Sequence, residues 1–137
     1  MNARFWIAVV AMFVLSLGLG MIIHVGLLES EYSRLPGLFR AKETQGGYFP
    51  WMLLAHALIA VGLVWIYRQG RQAGKPWIGQ GLRFGVAIIV LMTVPSYLIY
   101  FAVQPIPWTM VTKQIVFDSL GMLLMAIVLA WIYRGEN

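Results

Sequence analysis

Apolar positions fill this chain in four nearly uninterrupted stretches: Phe5 to Leu28, Phe49 to Tyr67, Phe84 to Val103 and Ile115 to Tyr133. A helix needs about 20 mostly apolar residues to cover a hydrocarbon core of roughly 30 Å. Each stretch has the required length, and a water-soluble domain of this size does not carry four of them. The pattern predicts an all-α, polytopic membrane protein: a four-transmembrane-helix up-down bundle with spans at about 5–28, 49–67, 81–104 and 108–133. Between them lie a long loop over 29–48, a second loop over 68–80 and a tight turn at Gln104 to Trp108. The whole chain, 1–137, reads as one membrane domain. Arg4 precedes the first stretch as in a signal peptide, but a typical apolar region there has about 7–15 residues, so the stretch predicts a retained span.

Composition agrees. Hydrophobic residues make up 61% and charged residues 11%, against about 45–50% and 25% in soluble domains. The absence of cysteine excludes disulfides, thiolate metal sites and thiol catalysis, including membrane thiol oxidoreductases. The net charge of +5 is no nucleic-acid footprint, because the basic residues sit beside spans. Arg4, Arg68, Arg71, Lys75, Arg83 and Arg134 share one side and are opposed there only by Glu136. The 29–48 loop mixes Arg34, Arg40 and Lys42 with Glu29, Glu31 and Glu43. Positive residues mark the cytoplasmic side. Both termini and the 68–80 loop are therefore expected in the cytoplasm, with 29–48 on the opposite side of the membrane. The lipid bilayer is the expected partner, with a membrane protein complex or homo-oligomer as a further possibility and no nucleic acid.

Several positions refine the helices. Ser16 and Gly20 are four apart, so they share a face on which small residues admit a neighbouring helix for packing. His24 follows one turn later. Leu35 to Phe39 is an apolar cluster fit to form a short lid at headgroup level. Pro50 suits a first helical turn, and Trp51 an interfacial anchor. Pro95 should kink its helix and free a carbonyl one turn earlier. Trp65-Ile66-Tyr67-Arg68 recurs as Trp131-Ile132-Tyr133-Arg134, the aromatic belt and positive charge that an inner interface selects.

Candidate chemistry gathers in the outer half of the spans, at His24, His56, Tyr97, Tyr100, Lys113, Gln114 and Asp118. An ionisable residue at membrane depth is a functional-site signal. At about 1.5 Å rise per residue, Asp118 lies roughly 16 Å below Pro107, near the midplane. A carboxylate there needs a partner or a proton. Gln114 is one turn above it. Lys113 is expected to snorkel outward, Tyr97 and Tyr100 to serve as belt residues or ligand contacts, and the loop charges to form a solvated face.

His24, His56 and Asp118 should all face the interior of a polar pocket, with Tyr97, Tyr100 and Gln114 completing its ligand-binding set. By the same rise, His24 lies about 6 Å below Leu28 and His56 about 10 Å below Phe49. Comparable depth is the minimum geometry for bis-histidine haem b, with Asp118 accepting the second N–H of one imidazole. The first expectation is no cofactor; haem b, or a metal ion held with Asp118, is the alternative.

No phosphate-binding glycine loop, zinc-protease helix pair or serine nucleophile with a histidine partner is present, which points away from an enzyme. The residues favour a binding or accessory membrane protein, holding a small molecule or lipid in the outer pocket or docking to a larger complex through Ser16 and Gly20. The alternatives are a haem b redox subunit using His24 and His56, and a small ion-coupled transporter using Asp118.

One resemblance accompanies this reading. Tyr97-Leu98-Ile99-Tyr100-Phe101-Ala102-Val103-Gln104-Pro105, then Lys113 to Asp118 and Trp131 to Arg134, together with Pro76 to Gly85, resemble a group of small bacterial inner-membrane proteins of uncharacterised function. The resemblance covers the whole chain. It implies a four-helix fold and an inner-membrane location, and it brings no activity or site residue with it.

Overall fold

Four helices long and apolar enough to cross a membrane account for most of the computed structural model, which describes residues 2–135. Glu136 lies outside the described residues. Helix α1 runs over Ala3–Gly20 and starts where the Asn2 side chain accepts the Phe5 N–H at 3.2 Å. It continues as a π-helix over Met21–Leu27. Two short helices follow, α2 at Glu29–Ser33 and α3 at Lys42–Gln45. Helix α4, Phe49–Gly70, carries Pro50 in its first turn, where the missing N–H costs no bond.

The third long helix consists of α5 (Trp77–Ile88), a π segment (Ile89–Thr93) and α6 (Val94–Val103). It begins before the expected residue 81. Gln80 explains the extra turn, because its side chain accepts the Gln72 N–H at 2.8 Å and donates to the Lys75 carbonyl at 3.1 Å, tying the helix start to the preceding connection. The disturbance expected at Pro95 takes the form of the π segment. Proline lacks an N–H and crowds the carbonyl four residues back, and a widened turn relieves both faults without ending the helix. Helix α7 spans Trp108–Ile132. Among the described residues there is no strand, only an isolated bridge between Pro36 and Phe39.

Side-chain contacts fix the topology. Ser16 faces His56 and Phe5 faces Arg68, so α1 and α4 are antiparallel. Gly81 faces Ala130 and Gly85 faces Ala126, so α5 and α7 are antiparallel too. Helices α1 and α7 pack against each other in the middle, α4 flanks α1, and α5–α6 flanks α7.

The α5–α7 seam depends on glycine. A Cβ on Gly81 would stand 2.9 Å from the Ala130 Cβ and 3.0 Å from the Ala126 carbonyl oxygen. Small residues four apart allow backbones to meet, and dispersion then holds the pair. This Gly81/Gly85 face was not anticipated, although its spacing is the one noticed at Ser16 and Gly20.

Helices α4 and α5 touch at the end carrying both termini, where the Tyr67 and Phe84 rings meet edge to face at 5.2 Å and Arg83 donates to the Gly70 carbonyl at 2.9 Å. Farther along, no extensive packing joins α4 to α5–α6. The four long helices thus form a trough, with α1 and α7 as its floor.

The buried core lies at the terminal end and centre, around Phe5, Met12, Val64, Tyr67, Leu129 and Tyr133. The outer surface is apolar as well: Val103 is 70%, Val90 66% and Leu58 65% exposed. At the opposite end Leu35 and Leu38 rest on Ile106, Met110 and Val111, so the lid cluster folds back onto the start of α7.

Candidate functional site

The trough encloses a cavity of about 750 Å³ bounded by all four long helices. His24, His56, Tyr97, Tyr100 and Asp118 line it, with Ser16 and Gly20. Most of the remaining wall is hydrocarbon, including Leu63, Ile66, Ile88, Leu91, Met122 and Met125. His24, His56 and Asp118 therefore share one space. Gln114 does not line it.

The polar groups form two sets. In the first, the two Asp118 oxygens take separate partners: Oδ1 lies 3.3 Å from His24 Nε2, and Oδ2 accepts the Tyr97 hydroxyl. The other His24 nitrogen, Nδ1, lies 2.7 Å from the Tyr32 hydroxyl, which accepts a hydrogen bond from Gln114 Nε2 at 3.0 Å. Burial pushes the Tyr32 hydroxyl above its ordinary pKa, so it keeps its proton. Only one assignment satisfies this line without an idle proton. Tyr32 donates to His24 Nδ1, His24 Nε2–H donates to Asp118, and Tyr97 donates to the other carboxylate oxygen. His24 is then neutral and Asp118 ionised. The wide turn of the Met21–Leu27 π-helix is the backbone that carries His24 in this arrangement.

In the second set, Ser16 donates to the Phe13 carbonyl at 3.1 Å, so at 3.0 Å its oxygen accepts from His56 Nδ1–H. Neutral His56 then turns a bare Nε2 lone pair toward the cavity, beside Gly20. A Cβ on Gly20 would lie 3.7 Å from that nitrogen, an ordinary contact, so the imidazole packs against α1 there with room left for a methyl. The packing role expected of Ser16 and Gly20 is thus directed at α4.

Lys113 is half exposed, in keeping with snorkelling, and its ammonium contacts Glu31 at 2.5 Å across 82 residues of sequence. Other expectations are corrected. Glu31 is not part of a solvated face but is 8% exposed, with Arg34 at 3.9 Å as a second cation. The Lys113 hydrogen bond holds the Glu31 carboxyl below the ordinary glutamate range. Glu29 does lie on a solvated face, where it pairs with Lys42 and both side chains are more than half exposed. Lastly, bis-histidine haem does not fit His24. Both its ring nitrogens are engaged, and an axial ligand needs one free. A metal ion with Asp118 fares no better, since no cluster of three or more His, Asp or Glu side chains forms among the described residues.

One participant was missed, and another has a different role. Tyr32 lies in the lid, beyond the apolar run, where nothing in the pattern marked it as inward. Gln114 was placed among the ligand contacts, whereas it is buried and supports Tyr32; its Oε1 has no hydrogen-bond partner among the described residues.

Comparison with protein-family models, with curated proteins and with solved structures returns no match.

Proposed function

We propose that this chain is a multi-pass protein of the bacterial inner membrane, with both termini cytoplasmic, that binds an amphiphile in the trough between α4 and α5–α6. The observation that carries this reading is the polar composition of an otherwise apolar cavity. Beside the Thr93, Ser96 and Tyr100 hydroxyls, its polar lining offers two acceptors, the Asp118 carboxylate and His56 Nε2. A head group that donates, such as a hydroxyl or an amine, satisfies them, whereas a phosphate or carboxylate head meets like charge at Asp118. The aliphatic wall from Leu63 to Met125 suits a hydrocarbon tail. The gap between α4 and α5–α6 lets such a molecule enter from the lipid side.

Gly62 supplies the test. It lines the trough, and a Cβ there would meet no heavy atom within 4 Å. Gly62→Phe should fill the space without disturbing α1 or α7. Mass spectrometry of organic extracts should find an amphiphile bearing a hydroxyl or amine, near one per chain, with the native protein and not with Gly62→Phe. Equal recovery from both removes the reading.

The line Asp118–His24–Tyr32 favours a second reading, a proton path from the lid into the trough. It supports the ion-coupled transporter, with Asp118 as the exchanging group. In proteoliposomes carrying a pH-sensitive dye, Asp118→Asn should abolish proton flux; flux at the native rate sinks this reading and leaves the first intact.

A further inference from the structure

A second cavity, of about 310 Å³, lies at the opposite end of the molecule from the lid. Its wall includes Tyr67, Trp77 and Tyr133 as aromatic surface and Arg71, Lys75 and Arg134 as cations. Among the described residues no carboxylate lines it, and every acidic side chain among them (Glu29, Glu31, Glu43 and Asp118) belongs to the other half of the bundle.

The cations come from separate segments, and two are held in position by other groups. Arg71 Nη2 donates to the Tyr133 carbonyl at 3.3 Å, and its guanidinium sits 5.4 Å from the centre of the Tyr133 ring. Arg134 lies 4.8 Å from the centre of the Trp131 ring. The connection bearing Lys75 is folded by Gly74, whose φ of +73° favours glycine, and is clamped on both sides by the buried Gln80 side chain. The Lys75 ammonium has no ion pair or hydrogen bond among the described residues. A cationic rim, an aromatic wall and an ammonium with no carboxylate partner among the described residues make a receptor for an anion.

We propose that this cavity binds a phosphate group, presented either by an anionic lipid or as free phosphate. Charge-assisted hydrogen bonds from Lys75 and Arg134 hold its oxygens, and the tyrosine and tryptophan faces take the carbon adjoining it. Basic pockets between helices at the bilayer surface suit such headgroups. The proposal goes beyond the trough and does not depend on what the trough holds.

The experiment uses the full chain in zwitterionic nanodiscs, titrated with phosphatidylglycerol, with phosphatidylcholine, and with inorganic phosphate alone, and read by native mass spectrometry and thermal unfolding. Phosphatidylglycerol should bind saturably and raise the unfolding temperature, and phosphatidylcholine should not. Lys75→Ala should weaken binding about tenfold, the loss of one charge-assisted bond. Arg68→Ala removes equal charge from the same end outside the cavity and should leave affinity unchanged. Lys75→Gln, which keeps the stem, guards against misfolding and should weaken binding like Lys75→Ala. Saturable binding of inorganic phosphate with the same Lys75 dependence identifies free phosphate as the source. Equal loss in the Arg68 and Lys75 variants, or binding of neither anion, overturns the proposal.

Discussion

The trough and the terminal cavity sit in one bundle and follow opposite rules. The trough is large, its wall is mostly hydrocarbon, and its polar lining offers two acceptors. The terminal cavity is smaller, its rim is cationic, and its groups donate. The difference follows from where charge is cancelled. At the lid end Lys113 and Lys42 are matched by Glu31 and Glu29, which leaves Asp118 with only uncharged donors. At the terminal end Lys75 meets no carboxylate among the described residues, and the net charge of +5 resides there. A binding preference can therefore be set by which charges are left uncancelled, with the helices themselves built alike.

The largest effect should come from the seam that both cavities share. Gly81→Ala places a methyl against the Ala126 carbonyl and the Ala130 Cβ. Overpacking of this kind costs about 1–3 kcal/mol. Gly81→Leu should lower the unfolding temperature further and abolish both binding activities at once, whereas Gly62→Phe removes only the trough. If Gly81→Leu unfolds at the native temperature, the seam is not what aligns the two sites.

Next in size is Tyr32→Phe. It takes the donor from His24 and the acceptor from Gln114, a loss of about 1–2 kcal/mol for the two bonds. It should weaken trough binding and leave phosphatidylglycerol affinity untouched, as read by the two titrations side by side. Equal weakening in both would show the ends to be coupled.

A smaller effect is set by pH. The folded Glu31 carboxyl titrates below its ordinary value of 4.5 because Lys113 hydrogen-bonds its charged form. Its contribution is therefore complete above that value and fades as pH falls through the lower folded one. Backbone amides of the lid over 32–38 should lose hydrogen-exchange protection in that acidic window, and Glu31→Gln should remove the dependence. The smallest expected effect is that of salt. Raising ionic strength screens the exposed terminal cations, so it should weaken anion binding while leaving recovery of the trough amphiphile unchanged.

Much of the fold was readable because the length of an apolar run is a direct measure of hydrocarbon thickness. The order of helices in space was not. Runs that are apolar on every side carry no stripe to say which face is inward, so nothing distinguished α1 and α7 as the floor from α4 and α5–α6 as the walls. The inward placement of His24, His56 and Asp118 was legible for a simple reason, that ionisable groups avoid lipid. Tyr32 and Glu31 escaped because they belong to a polar loop, where solvent exposure is the ordinary outcome. The reach of Lys113 to Glu31 and of Gln114 to Tyr32 reveals the loop as part of the site, and contacts between residues so far apart in sequence leave no local trace. Likewise, the basic residues of the terminal end were legible as an orientation signal, but the cavity that Gln80 and Gly74 help to shape among them was not.

The separation of α4 from α5–α6 also has a kinetic consequence. A guest arriving sideways never has to leave the oily phase or cross the layer of headgroups. Occupancy then tracks the guest's mole fraction among the surrounding lipids and is indifferent to its solubility in water. Diluting the vesicles with buffer should leave the occupied fraction unchanged, and diluting them with blank lipid should lower it.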